Sequence, residues 1–153
     1  MNDTIDTSQD LLALDKQFCF ALYSASLALT KTYKPLLDEI GLTYPQYLVM
    51  LVLWEKDHIL VKDIGHALFL DSGTLTPLLK RLETAGLLLR QRDKEDERQV
   101  RILLTQDGKA LRKLARSIPE KIMCASGQNL ASLMALRQQL SGLRDELHQQ
   151  QDV

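Results

Sequence analysis

Two cysteines are the residues of this sequence best suited to chemistry of their own. Cys19 and Cys124 are its only cysteines among 153 residues. A deprotonated thiol attacks peroxides and disulfides, and a second thiol can condense with the sulfenic acid that forms first. So few cysteines exclude a disulfide-dense secreted scaffold and a four-cysteine zinc site. The pair therefore predicts either a redox function in a reducing cytoplasm or two inert core cysteines.

Tyrosines are the candidate donors that could stabilise a thiolate at Cys19. Tyr23 follows Cys19 by four residues, so both lie on one face of a helix. Tyr33 follows Cys19 by fourteen residues, which corresponds to about 21 Å along a continuous helix. That distance exceeds the reach of the Tyr33 hydroxyl within one chain. A hydrogen bond from Tyr33 would therefore go to Cys19 of a second subunit.

Patterns typical of other catalytic or metal sites are missing from the sequence. The histidines His58, His66 and His148 have no paired spacing that would suit a metal ion. Glycine-rich phosphate loops, nucleophile elbows and C-x-x-C motifs do not occur. We therefore expect no metal, no cofactor and no enzymatic activity. One enzymatic alternative stays open, a thiol peroxidase that would use both cysteines with an external reductant.

Composition indicates a single soluble domain with helical extensions. The chain has 45% hydrophobic and 25% charged residues and a formal net charge of −1. Its longest apolar run, residues 47–54, is far too short to span a membrane, and its N-terminus lacks the basic start of a signal peptide. We therefore expect a cytoplasmic protein without a membrane partner.

The first part of the chain predicts two helices. Apolar residues recur every three or four positions from Leu11 to Tyr33, which is typical of a long amphipathic helix. Pro35 predicts a break or kink before residues 36–40. A second helix is expected from Thr43, whose hydroxyl can cap it, and its nearly all-round apolar sequence indicates the buried centre of the domain.

The middle of the chain predicts a helix-turn-helix followed by a hairpin. Two short helices, 61–70 and 74–85, are joined by a tight turn that contains Gly73. Two short strands, 87–92 and 99–104, then flank a charged loop. That order of elements is typical of a winged helix-turn-helix.

The last part of the chain predicts two more helices. Thr105 is expected to cap a helix that runs to about Cys124 and bends near Pro119. The final helix follows Gly127 and Asn129. Its leucines keep the three-four spacing of a seam between paired helices; they are Leu133, Leu136, Leu140, Leu143 and Leu147.

These elements together define the expected fold. It is mainly α with a small β-hairpin wing, and the winged helix-turn-helix region covers residues 43–105. The flanking segments 11–41 and 106–148 have more apolar surface than so small a domain can cover, which indicates dimerisation helices. Packing of these helices on each other within a monomer is the alternative.

Local charge favours double-stranded DNA as a partner. Residues 62–113 carry eleven basic and eight acidic side chains, or +3, which leaves −4 elsewhere. Hydroxyl and basic side chains of the second short helix and the hairpin tip could reach bases and phosphates; they are Ser72, Thr74, Thr76, Lys80, Arg81, Arg92, Lys94 and Arg98. Asp96 is expected to orient Arg98 through an ion pair, or else to be a plain turn residue. A solvated charged surface on an ordinary domain is the alternative.

Several of these segments resemble a known family. The hairpin sequence Asp96-Glu97-Arg98 resembles the Asp-x-Arg wing of the multiple antibiotic resistance regulator (MarR) family of dimeric winged-helix transcription factors. The segments CFALYSA from Cys19, LTYPQYL from Leu42 and LDSGTLTPLLKRL from Leu70 resemble, more narrowly, the organic hydroperoxide resistance regulators of that family. The resemblance covers roughly residues 11–145, and the three segments together are specific.

The resemblance implies a function and a mechanism. It implies a homodimeric repressor of pseudo-palindromic operator DNA that senses organic hydroperoxides by oxidation of Cys19. Tyr33 and Tyr44 match the tyrosines that bind the thiol in the family, and Tyr23 is a neighbour of Cys19 one helical turn further along. Cys124 resembles the second cysteine of a two-cysteine branch, in which an intersubunit disulfide follows oxidation. A regulator of the same family released by a small aromatic ligand, with structural cysteines, is the alternative.

Overall fold

The computed structural model describes residues 11–151, which form a mainly helical fold with one small antiparallel sheet. After a short 3₁₀ turn (Leu14–Lys16), the elements are α1 (Phe18–Asp38), α2 (Tyr44–Glu55), β1 (Ile59–Leu60), α3 (Val61–Leu68), α4 (Ser72–Thr84), β2 (Leu88–Arg92), β3 (Val100–Leu104), α5 (Gln106–Ala115), α6 (Ile118–Ser126) and α7 (Leu130–Gln151). The predicted order, a helix-turn-helix followed by a hairpin and flanked by long helices, is confirmed.

Of the break or kink predicted at Pro35, the break is wrong, because α1 continues through the proline to Asp38. Packing outweighs the lost backbone hydrogen bond: Leu37 is buried in the core and Leu36 packs against it. An ion pair between Lys34 Nζ and Asp38 Oδ2, 3.0 Å apart, spans the proline on the exposed side. The start of the helix also differs from the prediction, since it begins at Phe18 and not near residue 11.

The second helix confirms the prediction from its cap. Thr43 accepts a hydrogen bond from the backbone N–H of Gln46, and the Gln46 side chain accepts one from the Thr43 N–H, which completes a capping box. Val49, Met50 and Leu53 on α2 are almost completely buried. Helix α2 is therefore the centre of the core, and α1, α3, α4 and α5 pack around it.

The sheet consists of the hairpin and one additional short strand. β2 pairs antiparallel with β3, with Leu88 opposite Leu104 and Arg92 opposite Val100. β1 pairs with the other edge of β3, with Ile59 opposite Ile102. β1 was not predicted from the sequence, because a strand of two residues has no measurable periodicity. Its effect is to attach the root of the hairpin to the start of α3.

The prediction of one bent helix from Thr105 to Cys124 is also wrong. α5 ends at Ala115 and α6 begins at Ile118, so Pro119 lies in the first turn of a separate helix. A proline is well tolerated there, because the first N–H groups of a helix have no intrahelical partner. Buried Ala115 and Ile118 attach this junction to the core.

The two long terminal helices expose apolar side chains. Leu37 is the single buried residue of α1, and none of α7 is buried in its described part. Large side chains are open to solvent on both helices, including Phe18 at 66% and Leu136 at 48% relative exposure. The core of one chain therefore leaves the surplus apolar surface uncovered, as the spacing of these residues predicts.

Candidate thiol site and nucleic-acid interface

The first candidate site centres on Cys19, the second residue of α1. Its side chain is exposed, and so are the neighbouring apolar side chains of Phe18, Phe20 and Leu22. The N–H groups of a first helical turn lack intrahelical acceptors and favour a nearby anion. Tyr23, one turn along the same helix, is exposed as well. In one chain, Cys19 is thus an open thiol within an apolar surface.

Tyr33 and Tyr44 come together at the other end of α1. Their ring centroids are 4.7 Å apart, and Tyr47 is a third member, with its ring 5.9 Å from Tyr33 and 6.3 Å from Tyr44. Burial, with a smaller contribution from the other two phenols, raises the pKa of Tyr33 to about 12. Burial also raises the pKa values of Tyr44 and Tyr47. The three phenols therefore keep their protons at neutral pH, so each hydroxyl is able to donate a hydrogen bond.

Tyr47 is a member of this cluster that was not predicted from the sequence. Tyr47 follows Tyr44 by three residues on α2, and this spacing on one helix face was the available signal. The ring of Tyr47 is also 6.4 Å from that of Trp54 in an edge-on arrangement. Trp54 Nε1 donates a hydrogen bond of 2.8 Å to the carbonyl oxygen of Gly108. Aromatic contacts thus extend from the tyrosine cluster to α5.

Cys19 and the tyrosine cluster occupy opposite ends of one helix. Because α1 is continuous, the rise of about 1.5 Å per residue places Tyr33 about 21 Å along the axis from Cys19. Cys124 lies on α6, where it is exposed, and α6 packs against α1. The structure therefore joins Tyr33 and Tyr44, but it brings neither Cys19 nor Tyr23 to them within one chain.

The second candidate site is the outer face of α4. Leu75, Leu79 and Leu82 are buried and fix the inner face. The side chain of Asp71 caps the helix by accepting a hydrogen bond of 2.7 Å from the Thr74 N–H, and hydrogen bonds to Thr74 hold the pKa of Asp71 below its usual value. The predicted DNA-contacting residues lie largely on the outer face: Ser72, Thr74, Lys80 and Arg81 are exposed and Thr76 is half-buried.

The hairpin tip presents basic side chains beside α4. Arg92, Lys94 and Arg98 are exposed, and the Arg98 side chain reaches 93%. Asp96 accepts a hydrogen bond of 3.1 Å from the Arg98 N–H and forms an ion pair of 3.5 Å with Arg98 Nε. Asp96 thus serves both as a turn residue and as the ion-pair partner of Arg98.

Two ion pairs that the sequence analysis missed brace the hairpin. Glu83 at the end of α4 accepts hydrogen bonds from the backbone N–H (2.8 Å) and the guanidinium of Arg90 on β2. Asp93 lies 3.0 Å from the guanidinium of Arg101 on β3. These hydrogen bonds from Arg90 and Arg101 hold the pKa values of Glu83 and Asp93 below their usual range. The sequence offered no signal for either pair beyond opposite charges.

A cleft of about 550 Å³ separates α3 and α4 from the hairpin. Lys62, His66, Arg90 and Arg98 contribute basic groups to its lining. Ser72 and Thr76 of α4 and Arg98 of the hairpin therefore border one concave surface. In the described residues 11–151, no helix is long and apolar enough to cross a membrane, and no cluster of side chains could hold a metal ion.

Known proteins match both the sequence and this geometry. Residues 31–113 match the family described as transcriptional regulator SarA/Rot. The organic hydroperoxide resistance transcriptional regulator of Bacillus subtilis is 50% identical over 140 residues, which cover 92% of this chain and 95% of that protein. The chain belongs to the organic hydroperoxide resistance regulators of the MarR family.

Solved structures of regulators agree with this membership. Reduced AbfR bound to DNA is similar with a TM-score of 0.73 and 36% identity, over 88% of this chain and 93% of that one. Disulfide-formed AbfR is similar with a TM-score of 0.62 and 38% identity, over 85% and 91% of the two chains. This member of the MarR family is a DNA-binding transcriptional regulator of the organic hydroperoxide resistance type.

Proposed function

We propose that this chain is a homodimeric repressor that organic hydroperoxides inactivate through Cys19. In this proposal, oxidised Cys19 forms an intersubunit disulfide with Cys124, and the dimer then releases its pseudo-palindromic operator. One observation carries the proposal: Tyr33 lies about 21 Å along α1 from the thiol of its own chain, and Tyr44 packs against Tyr33. A second, antiparallel copy of α1 would bring Cys19 of the partner subunit to this cluster.

The exposed apolar surface supports a second copy of the chain. Leucines of α7 keep a seam spacing and remain half-buried or exposed in one chain. The N-terminal half of α1 is equally uncovered around Phe18 and Leu22. A homodimer would bury both apolar surfaces in one apolar interface. In an isologous twofold arrangement, each α1 would pair with its copy.

The proposed first step is nucleophilic attack by the Cys19 thiolate. The sulfur attacks the terminal oxygen of the hydroperoxide, the O–O bond breaks, and the alcohol leaves after taking up a proton. Cys19 becomes a sulfenic acid. Neutral phenols of Tyr33 and Tyr44 would donate hydrogen bonds to the thiolate without introducing charge, since burial raises their pKa values. The apolar side chains of Phe18, Phe20 and Leu22 would favour alkyl hydroperoxides over hydrogen peroxide.

The proposed second step is condensation with Cys124. Its thiol attacks the sulfenic sulfur, the S–O bond breaks, a disulfide forms and water leaves. Cys124 is exposed on α6, which follows α5 and packs against α1. Movement of Cys124 towards Cys19 of the partner subunit would displace α6 relative to the core.

Displacement of α6 would change the separation of the two DNA-binding regions. Recognition helices of a dimer must lie about 34 Å apart to enter successive major grooves on one side of DNA. A small rotation of each winged region disturbs that spacing and lowers affinity. We assign phosphate and base contacts to the outer face of α4, with Ser72, Thr74, Thr76, Lys80 and Arg81, and to the hairpin, with Arg92, Lys94 and the Asp96–Arg98 pair.

The linkage is tested by non-reducing denaturing electrophoresis after addition of about one equivalent of cumene hydroperoxide per chain and alkylation of free thiols. We expect a band of twice the chain mass that dithiothreitol removes and that both Cys19→Ser and Cys124→Ser lack. Monomer bands with both thiols still alkylated would contradict the redox mechanism and favour a regulator released by a small ligand. Repeated peroxide turnover with a reductant would favour a thiol peroxidase.

A further inference from the structure

Phe69 has an unusual backbone in the turn between α3 and α4. Its φ of 56° lies in the left-handed region, which usually takes glycine or asparagine at the end of a helix. Its bulky side chain is also 51% exposed in place of packing in the core. A conformation that costs free energy is retained only where the surroundings require it, so the position of this ring calls for a partner.

The partner is the C-terminal part of α7. The Arg144 guanidinium carbon lies 4.2 Å from the centroid of the Phe69 ring. The imidazole of His148, one turn further on α7, stacks on the same ring with centroids 5.1 Å apart and planes inclined by 16°. Phe69 thus joins the turn of the helix-turn-helix to a helix that is more than sixty residues away in the sequence.

The same stretch of α7 faces the N-terminal half of α1. Leu22 of α1 lines a cleft of about 350 Å³ together with Leu143, Leu147 and His148 of α7. Leu22 is one turn from Cys19. One stretch of α7 therefore contacts the turn before α4, which is the recognition helix in the proposed function, and the helix that carries the proposed sensor.

The turn between α3 and α4 is closely packed against the end of α3. The Leu70 N–H donates a hydrogen bond of 2.9 Å to the Gly65 carbonyl oxygen, and a Cβ at Gly65 would lie 2.8 Å from the Leu70 carbonyl oxygen. Helix α4 begins at Ser72, three residues after Phe69. Two residues, Leu70 and Asp71, therefore separate Phe69 from the start of α4.

We propose that Phe69, held by Arg144 and His148, is a positioning residue that sets the recognition helix relative to α7. The inference rests on DNA binding by a dimer and not on cysteine oxidation. Its consequence is a defined distance between the two recognition helices. Without the ring, each winged region pivots on α7, and the dimer accepts half-site spacings that the wild-type protein rejects.

The test uses reduced full-length protein and two duplexes. One duplex is selected from random sequence with the wild-type protein, and the other has one base pair inserted between its half-sites, which separates them by about 3.4 Å and about one tenth of a turn. Fluorescence anisotropy gives both affinities for the wild type and for Phe69→Leu, Phe69→Tyr, Arg144→Gln and the matched control Arg137→Gln on the same helix. Melting temperature and sedimentation report on folding and dimerisation.

We expect the insertion to weaken wild-type binding about tenfold or more. The ratio of the affinity for the selected duplex to that for the duplex with the insertion should fall below about threefold in Phe69→Leu and Arg144→Gln. The wild-type ratio should be retained in Phe69→Tyr and Arg137→Gln. The inference is overturned if Phe69→Leu keeps the wild-type ratio. It is also overturned if the ratio falls as far in Phe69→Tyr as in Phe69→Leu. A wild-type protein that sediments as a monomer would instead contradict the proposed dimer, which separates the two failures.

Discussion

The indole N–H of Trp54 donates a hydrogen bond of 2.8 Å to the carbonyl oxygen of Gly108, which attaches α2 to the first turn of α5. Gly108 is buried, and a Cβ there would lie 2.0 Å from the carbonyl oxygen of Leu87. The glycine thus allows α5 to approach the root of the hairpin closely. The contact lies between the tyrosine cluster and the helices that lead to Cys124.

Gly108→Ala is expected to destabilise the fold by about 3 kcal/mol or more, because backbone must move to admit the methyl group. Gly142→Ala is the matched control, since a Cβ at Gly142 in α7 meets nothing within 4 Å. The control should be neutral or more stable by up to about 1 kcal/mol, as expected for alanine in place of a helical glycine. Urea denaturation measures both free energies of unfolding. Equal effects would contradict the close approach of α5 to Leu87.

Tyr33→Phe and Tyr44→Phe should each slow the oxidation of Cys19. Loss of a hydrogen bond to a thiolate costs about 1.5–3 kcal/mol, which corresponds to about tenfold or more in thiolate stability. Stopped-flow measurement of thiol loss with cumene hydroperoxide, in a Cys124→Ser background, gives the second-order rate constants. Tyr47→Phe is the control within the same cluster and should remain within about twofold of the parent. Unchanged rates in Tyr33→Phe and Tyr44→Phe would exclude the two phenols as donors.

The ion pair of Asp93 with Arg101 predicts a pH dependence of stability. The Arg101 hydrogen bonds lower the pKa of Asp93 in the folded state, so the pair contributes stability above the unfolded pKa of about 3.9 and loses it as the pH falls through the folded value. The difference in melting temperature between wild type and Asp93→Asn should therefore be constant from pH 7 to 5 and shrink below about pH 4. Arg101→Gln should show the same shrinkage. A difference that persists unchanged at pH 3 would assign the effect to packing.

Arg98 and Lys94 at the hairpin tip should contribute differently to DNA binding. Lys94→Ala removes a flexible charge and should reduce the slope of log affinity against log salt by about one, with similar losses on all sequences. Arg98→Ala should weaken selected duplexes about tenfold and random duplexes less, because an oriented arginine can read the minor groove. Asp96→Asn, which removes the ion pair, should resemble Arg98→Ala. If Arg98→Ala loses the same affinity on selected and on random duplexes, Arg98 contacts phosphate and does not read the sequence.

Much of the fold follows from local signals in the sequence. The cap at Thr43 and the glycine at position 127 mark helix ends where the structure has them, and the charged loop identifies the hairpin. Pro35 indicates a helix end that does not occur, because burial of Leu37 in the core outweighs the local preference of proline. The break between α5 and α6 was not predicted, because Pro119 was expected to bend a continuous helix, whereas it lies in the first turn of a new one.

The candidate sites were predictable to a different degree. Exposed basic and hydroxyl residues of α4 and the hairpin follow from the order of elements, because a winged helix leaves those faces open. The spacing of Tyr47 from Tyr44 on α2 was a usable signal for the tyrosine cluster, whereas the Glu83–Arg90 pair depends on a contact between two elements, which single-helix spacing does not report. The stacking of Phe69 on Arg144 and His148 depends on the path of α7, and no local pattern indicates it.

Release of DNA upon oxidation of Cys19 is the central claim, and anisotropy of a labelled operator duplex tests it most directly. Cumene hydroperoxide is added stepwise to the complex of the wild type and to that of Cys19→Ser, and dithiothreitol follows. We predict that the wild type dissociates at about one equivalent per chain and rebinds after reduction, while Cys19→Ser stays bound. Dissociation of Cys19→Ser alongside the wild type, or a wild-type complex that persists with Cys19 fully oxidised, would contradict the account.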